Sequence, residues 1–179
     1  MREVVVVSAA RTPIGSIGGT LKAMQPEELL AVALEEAVKR SGVEKAVIDE
    51  VIAGHAKQST DAPNIARVAA LSIQVPESTP AYTVHRQCAS GMQAMLSGMQ
   101  QIQCGYSDVV LVGGVESMSP SFAHMDMLHA HMPGTDAVGI YDSDFPELPG
   151  SEPAALRRGG QRDGRAVGPA FLLAHPRLP

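Results

Sequence analysis

Aromatic residues are scarce in this chain. They make up 3% of its 179 residues, with three tyrosines, three phenylalanines and no tryptophan. The hydrophobic fraction is nevertheless an ordinary 45%, so a core must be assembled from aliphatic side chains and methionine. Cysteine is also sparse. With no export signal, a pair of cysteines fits a reducing compartment. Cys88 and Cys104 fall on one predicted helix, roughly 24 Å apart at 1.5 Å per residue, which excludes a disulfide between them. Long apolar runs are missing from the start of the chain, where Val4 to Val7 is too short for a signal peptide or a membrane span. Positive charge is outweighed, 14 Lys and Arg against 19 Asp and Glu, and the net charge of −5 argues against a nucleic-acid surface. The expected setting is a cytoplasm or an organelle matrix, with neither a membrane nor a nucleic acid as partner.

What is present alternates strands with helices. Glu3 to Ala9 is valine-rich and suits a buried strand. Arg11 to Thr20 is a Gly- and Pro-rich loop whose glycines match neither the GxGxxG nor the P-loop spacing, so it reads as a flexible connection. Pro26 opens a helix, with Glu27 and Glu28 in the first turn, Lys39 and Arg40 in the last, and Gly42 as the stop. Leu30, Ala33, Leu34, Ala37 and Val38 form its apolar stripe. Glu50 to Gly54 reads as a second strand, Pro63 to Ile73 as a second helix, Ala81 to Val84 as a strand, and Asp108 to Val112 as another buried strand. This order predicts a layered α/β unit with a mostly parallel sheet over residues 1–121.

The centre of that pattern is the stretch from Tyr82 to Gln103. Strand Ala81 to Val84 runs into a polar turn, and Cys88 stands where helical spacing begins. Met92, Met95, Leu96, Met99 and Ile102 recur at i, i+3, i+4 and i+7 and predict the buried face. A thiol at a helix start, at the carboxyl end of a strand, sits where chemistry collects in parallel sheets. Unpaired amides and the helix dipole favour an anion there, and the same amides could steady the oxygen of a thioester under attack. Cys88 is therefore a candidate nucleophile; the alternative is a buried cysteine acting as a small hydrophobe.

Several separated motifs carry a resemblance. Ala9-Ala10-Arg11-Thr12-Pro13-Ile14-Gly15, Asn64-Ile65-Ala66-Arg67, Arg86-Gln87-Cys88-Ala89-Ser90-Gly91 and Gly113-Gly114-Val115-Glu116-Ser117-Met118-Ser119 together resemble the N-terminal half of a thiolase, over about Glu3 to Ser121. The flavour is that of acetyl-CoA acetyltransferases and 3-ketoacyl-CoA thiolases. The resemblance implies that Cys88 takes the acyl group of an acyl-CoA and hands it to coenzyme A, or in reverse that two acetyl-CoA molecules condense. It implies acyl-CoA and coenzyme A as substrates with no tightly bound cofactor, and a homo-oligomer, dimer or tetramer, or a need for a complementary half. A ketoacyl-synthase type of condensing enzyme shares the nucleophile-on-helix plan, but the Gly113 to Ser119 stretch looks more like thiolase.

The departures from that pattern matter as much. His85 stands where thiolases usually carry Asn; it reads as a polar turn residue, with a Cys88–His85 pairing as the lesser alternative. The C-terminal half that would bring an activating histidine, a second cysteine and an asparagine-bearing loop has no counterpart. Cys104 lies at the wrong end of the helix and is expected to be a buried or half-buried structural thiol. His175-Pro176 resembles the family's Gly-His-Pro motif by chance, since Ala174 precedes it. After Ser121 the composition shifts: eight of the thirteen prolines fall at or beyond Pro120, and no lysine does. Phe122 to His131 could be helical, and its His124, His129 and His131 lack a metal-ligand spacing, so no metal site is expected. Residues 122–179 are expected to be a divergent or truncated loop-domain region with little order. Two functions remain open, a thiolase-type acyltransferase and a non-catalytic thiolase fragment lacking the C-terminal catalytic residues.

Overall fold

The computed structural model describes residues 1–16, 19–117, 164–165 and 170–176. Residues 1–14, 24–117 and 170–176 form one compact unit. Residues 15–16, 19–23 and 164–165 belong to a second, in which strands β2 (Gly15–Ser16) and β6 (Gly164–Arg165) pair antiparallel.

In the first unit the chain runs β1 (Val5–Ala10), α1 (Pro26–Ser41), a 3-10 turn at Lys45–Val47, β3 (Glu50–Gly54), α2 (Ile65–Ser72), β4 (Ala81–Val84), α3 (Ser90–Cys104), β5 (Val109–Gly114) and β7 (Ala170–Ala174). Helix α1 forms as its local signals demand. Pro26 fixes the first turn, Gln25 and Glu28 make a reciprocal capping box, and Gly42 closes the helix in the left-handed region at φ 70°. Asn64 caps α2 by accepting from the Arg67 amide, while its amide group donates to Ala81 O and so ties the helix start to β4.

The sheet order is β1-β7-β5-β3-β4. Strands β4, β3 and β5 are parallel neighbours, and β7 runs antiparallel to both β5 and β1. Four strands therefore point one way and β7 opposes them, a mixed sheet with mostly parallel strands and helices on both faces. Helices α1 and α2 pack together on one face and α3 covers the other, over β5, β3, β4 and part of β7. Ala94 and Ile102 of α3 pack onto Ile52, Val110, Val112 and Leu173 of the sheet.

Three expectations are corrected here. First, among the described residues β1 is an edge strand, not a buried one: Val6 and Val7 are 51% and 41% exposed, because β7 is its one paired neighbour there and α3 packs over β5, β3, β4 and β7 instead. Second, the buried face of α3 is Ser90, Ala94, Gly98 and Ile102 rather than the methionine stripe. Met92 and Leu96 are 63% and 40% exposed, while Met95 and Met99 are half-buried. Small residues win because they let the helix axis approach the strands: a Cβ at Gly98 would lie 2.6 Å from Val112 Cγ1. Third, Ala170–Ala174, in the stretch expected to lack order, is a strand inside the sheet, with Leu172 and Leu173 fully buried. Pairing on both sides holds it there, a tertiary cause that composition does not register.

Beneath the C-terminal half of α3, Glu50 and Tyr82 are pushed up by burial, Glu50 with an opposing hydrogen bond from Gln101 and Tyr82 with one from Ser97. A carboxyl raised above its usual 4.5 contributes stability that is fully present below that value and is lost as pH rises. Glu50→Gln, which keeps a hydrogen-bonding group without the charge, is therefore expected to raise the melting temperature at pH 7. That gain should shrink toward zero by pH 4. An equal gain at both pH values would show that the ionised carboxylate is not the cause.

Candidate active site

Strand β4 ends at Val84 and α3 begins at Ser90, so five residues make the connection that carries Cys88. Backbone bonds fold it tightly, with Ala89 N donating to Arg86 O and Ser90 N to Gln87 O, both at 3.0 Å. The Ser90 hydroxyl adds two more: it accepts from Arg86 N at 2.8 Å and donates to Gln87 O at 2.7 Å. Gln87 is held at φ 48°, a left-handed conformation that costs a non-glycine residue about 1 kcal/mol. Cys88 follows directly and is exposed as a free thiol. Ala89 occupies the N-cap and supplies no side-chain acceptor, so the amides of the first turn are not spent on a side-chain cap.

The turn sits on the carboxyl ends of β3 and β5. A Cβ on Gly54 would lie 2.2 Å from Ser90 C and 2.3 Å from Gly91 N, and one on Gly114 would lie 3.0 Å from Gly91 Cα. These strand ends are laced together. His55 N donates to Val84 O and Val115 N to Gly54 O, each at 3.0 Å. The His55 ring, 1% exposed, bonds Val115 O through Nδ1 at 2.9 Å, which assigns the proton to that nitrogen because a carbonyl can only accept. Glu116 Oε2 accepts from the amides of Ala56 and Lys57. Glu116 Oε1 lies 3.6 Å from His55 Nδ1, and neither it nor the buried Ser117 Oγ has a hydrogen-bond partner among the described residues.

The sequence-derived candidates are thus separated. Cys88 is exposed at the strand-to-helix turn, which removes the reading of a buried hydrophobe. His85 is exposed just after β4, and no hydrogen bond joins it to Cys88. Cys104 ends α3, roughly 22 Å of helix away from its start. It is exposed, not the buried or half-buried thiol expected, because the helix ends there at Gly105. His175 follows β7, its amide donating to Asp108 O. His124, His129 and His131 lie outside the described residues. Sequence reasoning missed Ser90, His55 and Glu116 as supports of the turn. For Ser90 a signal existed, a hydroxyl at the first helical position beside the thiol; the other two are brought in by strand pairing alone. Among the described residues, no helix is long and apolar enough to cross a membrane.

Comparison with known proteins places the chain in a family. Residues 4–141 match the family model for the thiolase N-terminal domain. A β-ketoadipyl-CoA thiolase of Pseudomonas aeruginosa is 46% identical over 120 residues, 66% of this chain and 30% of that protein. The mitochondrial acetyl-CoA acetyltransferase of Homo sapiens is 40% identical over 119 residues, 66% of this chain and 28% of that protein. Among solved structures, the Bacillus anthracis acetyl-CoA acetyltransferase is 54% identical with a TM-score of 0.65, covering 66% of this chain and 30% of that one. The Acat5 thiolase of Ascaris suum, solved in complex with coenzyme A, is 37% identical at the same TM-score, covering 66% and 31%. The chain thus spans about three tenths of the length of these relatives. The matched residues take in the laced strand ends, the Cys88 turn and α3, and the chain belongs to the thiolase family.

Proposed function

We propose that this chain carries the nucleophile of a thiolase-type acyltransferase, with Cys88 as the residue that takes the acyl group. In thiolysis the Cys88 sulfur attacks a 3-ketoacyl-CoA, an acyl-cysteine forms as acetyl-CoA leaves, and coenzyme A carries the acyl group away. In the other direction one acetyl-CoA acylates Cys88 with release of coenzyme A, and a second acetyl-CoA takes the acetyl group. A covalent intermediate divides one hard step into two easier ones. The observation that carries this reading is an exposed thiol on a rigidly tied turn, next to helix amides that no side chain caps. Those amides are donors for the oxygen that gains charge as a thioester is attacked. Coenzyme A and acyl-CoA are substrates in this reading, with no resident cofactor, and a cytoplasm or organelle matrix is the compartment.

A second reading, a non-catalytic part of a thiolase, is favoured by the exposed Met92 and Leu96 of α3. That apolar face fits a complementary half or a second copy of the chain. One experiment separates the two readings. Thiolysis of acetoacetyl-CoA by the purified chain is followed by absorbance, beside a Cys88→Ala control and mass analysis of the Cys88 peptide. Turnover lost in the control supports a complete site. Acetyl-Cys88 without turnover identifies a nucleophile whose acid and base come from elsewhere. No adduct under acetyl-CoA saturation removes Cys88 from the chemistry and leaves the non-catalytic reading.

A further inference from the structure

We infer that Ser90 is a positioning residue for Cys88, acting by holding Gln87 in its left-handed conformation; this rests on the reading of Cys88 as nucleophile. Three observations meet at this residue. Ser90 is 4% exposed, and its single hydroxyl both accepts from Arg86 N and donates to Gln87 O, so it closes a ring around Gln87 and Cys88. Gln87 lies at φ 48°, one of two non-glycine residues with positive φ among the described residues, and it directly precedes the thiol. Such strain persists where surrounding contacts over-determine the backbone. Gly54 stands against Ser90 C and O so closely that the base of the ring cannot shift toward the sheet.

The chemistry follows from that ring. The Gln87 carbonyl already accepts the Ser90 amide at 3.0 Å, so the hydroxyl supplies its second donor and orients the peptide that leads into Cys88. With the hydroxyl gone, Arg86 N loses its acceptor and Gln87 can relax toward negative φ. Cys88 then swings away from the first-turn amides of α3. Its reactivity falls toward that of a thiol on an ordinary surface.

Cys104 makes the test internal, since it is exposed on the same helix at the end where the dipole disfavours an anion. Iodoacetamide alkylation at pH 7, with both cysteine peptides quantified by mass spectrometry, reads the turn without any acyl-CoA. A chain that fails to acylate Cys88 therefore still reports on Ser90. In the unsubstituted chain Cys88 is expected to react roughly tenfold faster than Cys104. Ser90→Ala should remove most of that difference while leaving the Cys104 rate within about twofold, and Gln87→Gly in the same chain should restore part of it, since glycine adopts positive φ without strain. Gln87→Val is the independent variant, because a β-branched residue resists the left-handed region while Ser90 stays intact. It should slow Cys88 as Ser90→Ala does. A Cys88 to Cys104 ratio near one in the unsubstituted chain, or a ratio that Gln87→Val leaves unchanged, overturns the inference. So does a Ser90→Ala chain that melts lower yet keeps its ratio.

Discussion

Gly54→Ala is expected to cost about 3 kcal/mol and to lower the melting temperature by roughly 10 °C or more, a large share of the stability of a domain this size. The added methyl would sit 2.2 Å from Ser90 C and 2.3 Å from both Ser90 O and Gly91 N. These are backbone atoms, so no side-chain rotation relieves the overlap. Helix α3 would have to lift from the sheet by more than an ångström to restore van der Waals distance. Its other small contact resists that, because Gly98 rests on Val112 and Leu173 in the same closely packed face. Lifting α3 would also pull its Ala94 and Ile102 away from Ile52 and Val110 of the sheet. Gly42→Ala is the informative comparison. Nothing lies within 4 Å of its Cβ position, and its φ of 70° alone sets the penalty, about 1 kcal/mol. Thermal melts of the two variants separate crowding from backbone strain. A Gly54→Ala chain that melts within about 2 °C of the parent would show that α3 does not bear on β3 at this point. Because Gly54 meets the turn itself, the same variant should also disturb Cys88 alkylation, whereas Gly42→Ala should not.

The elements whose causes are local were legible in the sequence. Helix α1 carries its own start and stop, and Pro26, the paired acids, the paired bases and Gly42 fall where they were expected. Strands β3 and β4 keep their expected limits, Glu50–Gly54 and Ala81–Val84, since each is a short apolar run bounded by turn residues. The thiol at the head of α3 was equally visible. Features that depend on what packs against what were not. The i, i+3, i+4 spacing of Met92, Met95, Leu96, Met99 and Ile102 marks an apolar face, but a second row, Ser90, Ala94, Gly98 and Ile102, runs beside it at i, i+4. Hydrophobicity favours the first row; closeness of approach selects the second for the sheet. The same reasoning applies to β1. A run of valines suits a buried strand, yet exposure depends on which strands lie beside it, and among the described residues β7 alone pairs with β1. Within the candidate site, the position of Cys88 just before a helix start could be read locally. The His55 and Glu116 contacts join residues 60 positions apart and leave no local pattern.

A chain ended after Arg165 is expected not to form the first unit at all, although every residue of the Cys88 turn would still be present. Strand β7 lies inside the sheet with a partner on each side: Val5 to Ala10 pair with one edge of it and Val109 to Val112 with the other. Removing it strips β1 of its neighbour and leaves the fully buried β5 with an open apolar edge, a template for aggregation. The point-substitution form of the prediction keeps the strand and tests its packing. Leu173 is fully buried among Ile52, Ala94, Ile102, Val110 and Val112, so Leu173→Ala leaves a cavity under α3 and should cost about 2–5 kcal/mol. Val6→Ala, on the exposed edge strand, should stay within about 0.5 kcal/mol. Denaturant melts of the two substituted chains, with sedimentation of the shortened one, check all three expectations. A shortened chain that remains monomeric with a cooperative melt would mean that β1 and β5 find another arrangement without β7. The antiparallel strand would then be an accessory to the sheet. If instead the shortened chain aggregates and Leu173→Ala melts far below Val6→Ala, a five-residue apolar segment far along the chain from the thiol is what allows α3 to seat. Cys88 then owes its fixed turn to a strand that begins 82 residues after it, since α3 rests in part on Leu173 and the turn rests on α3.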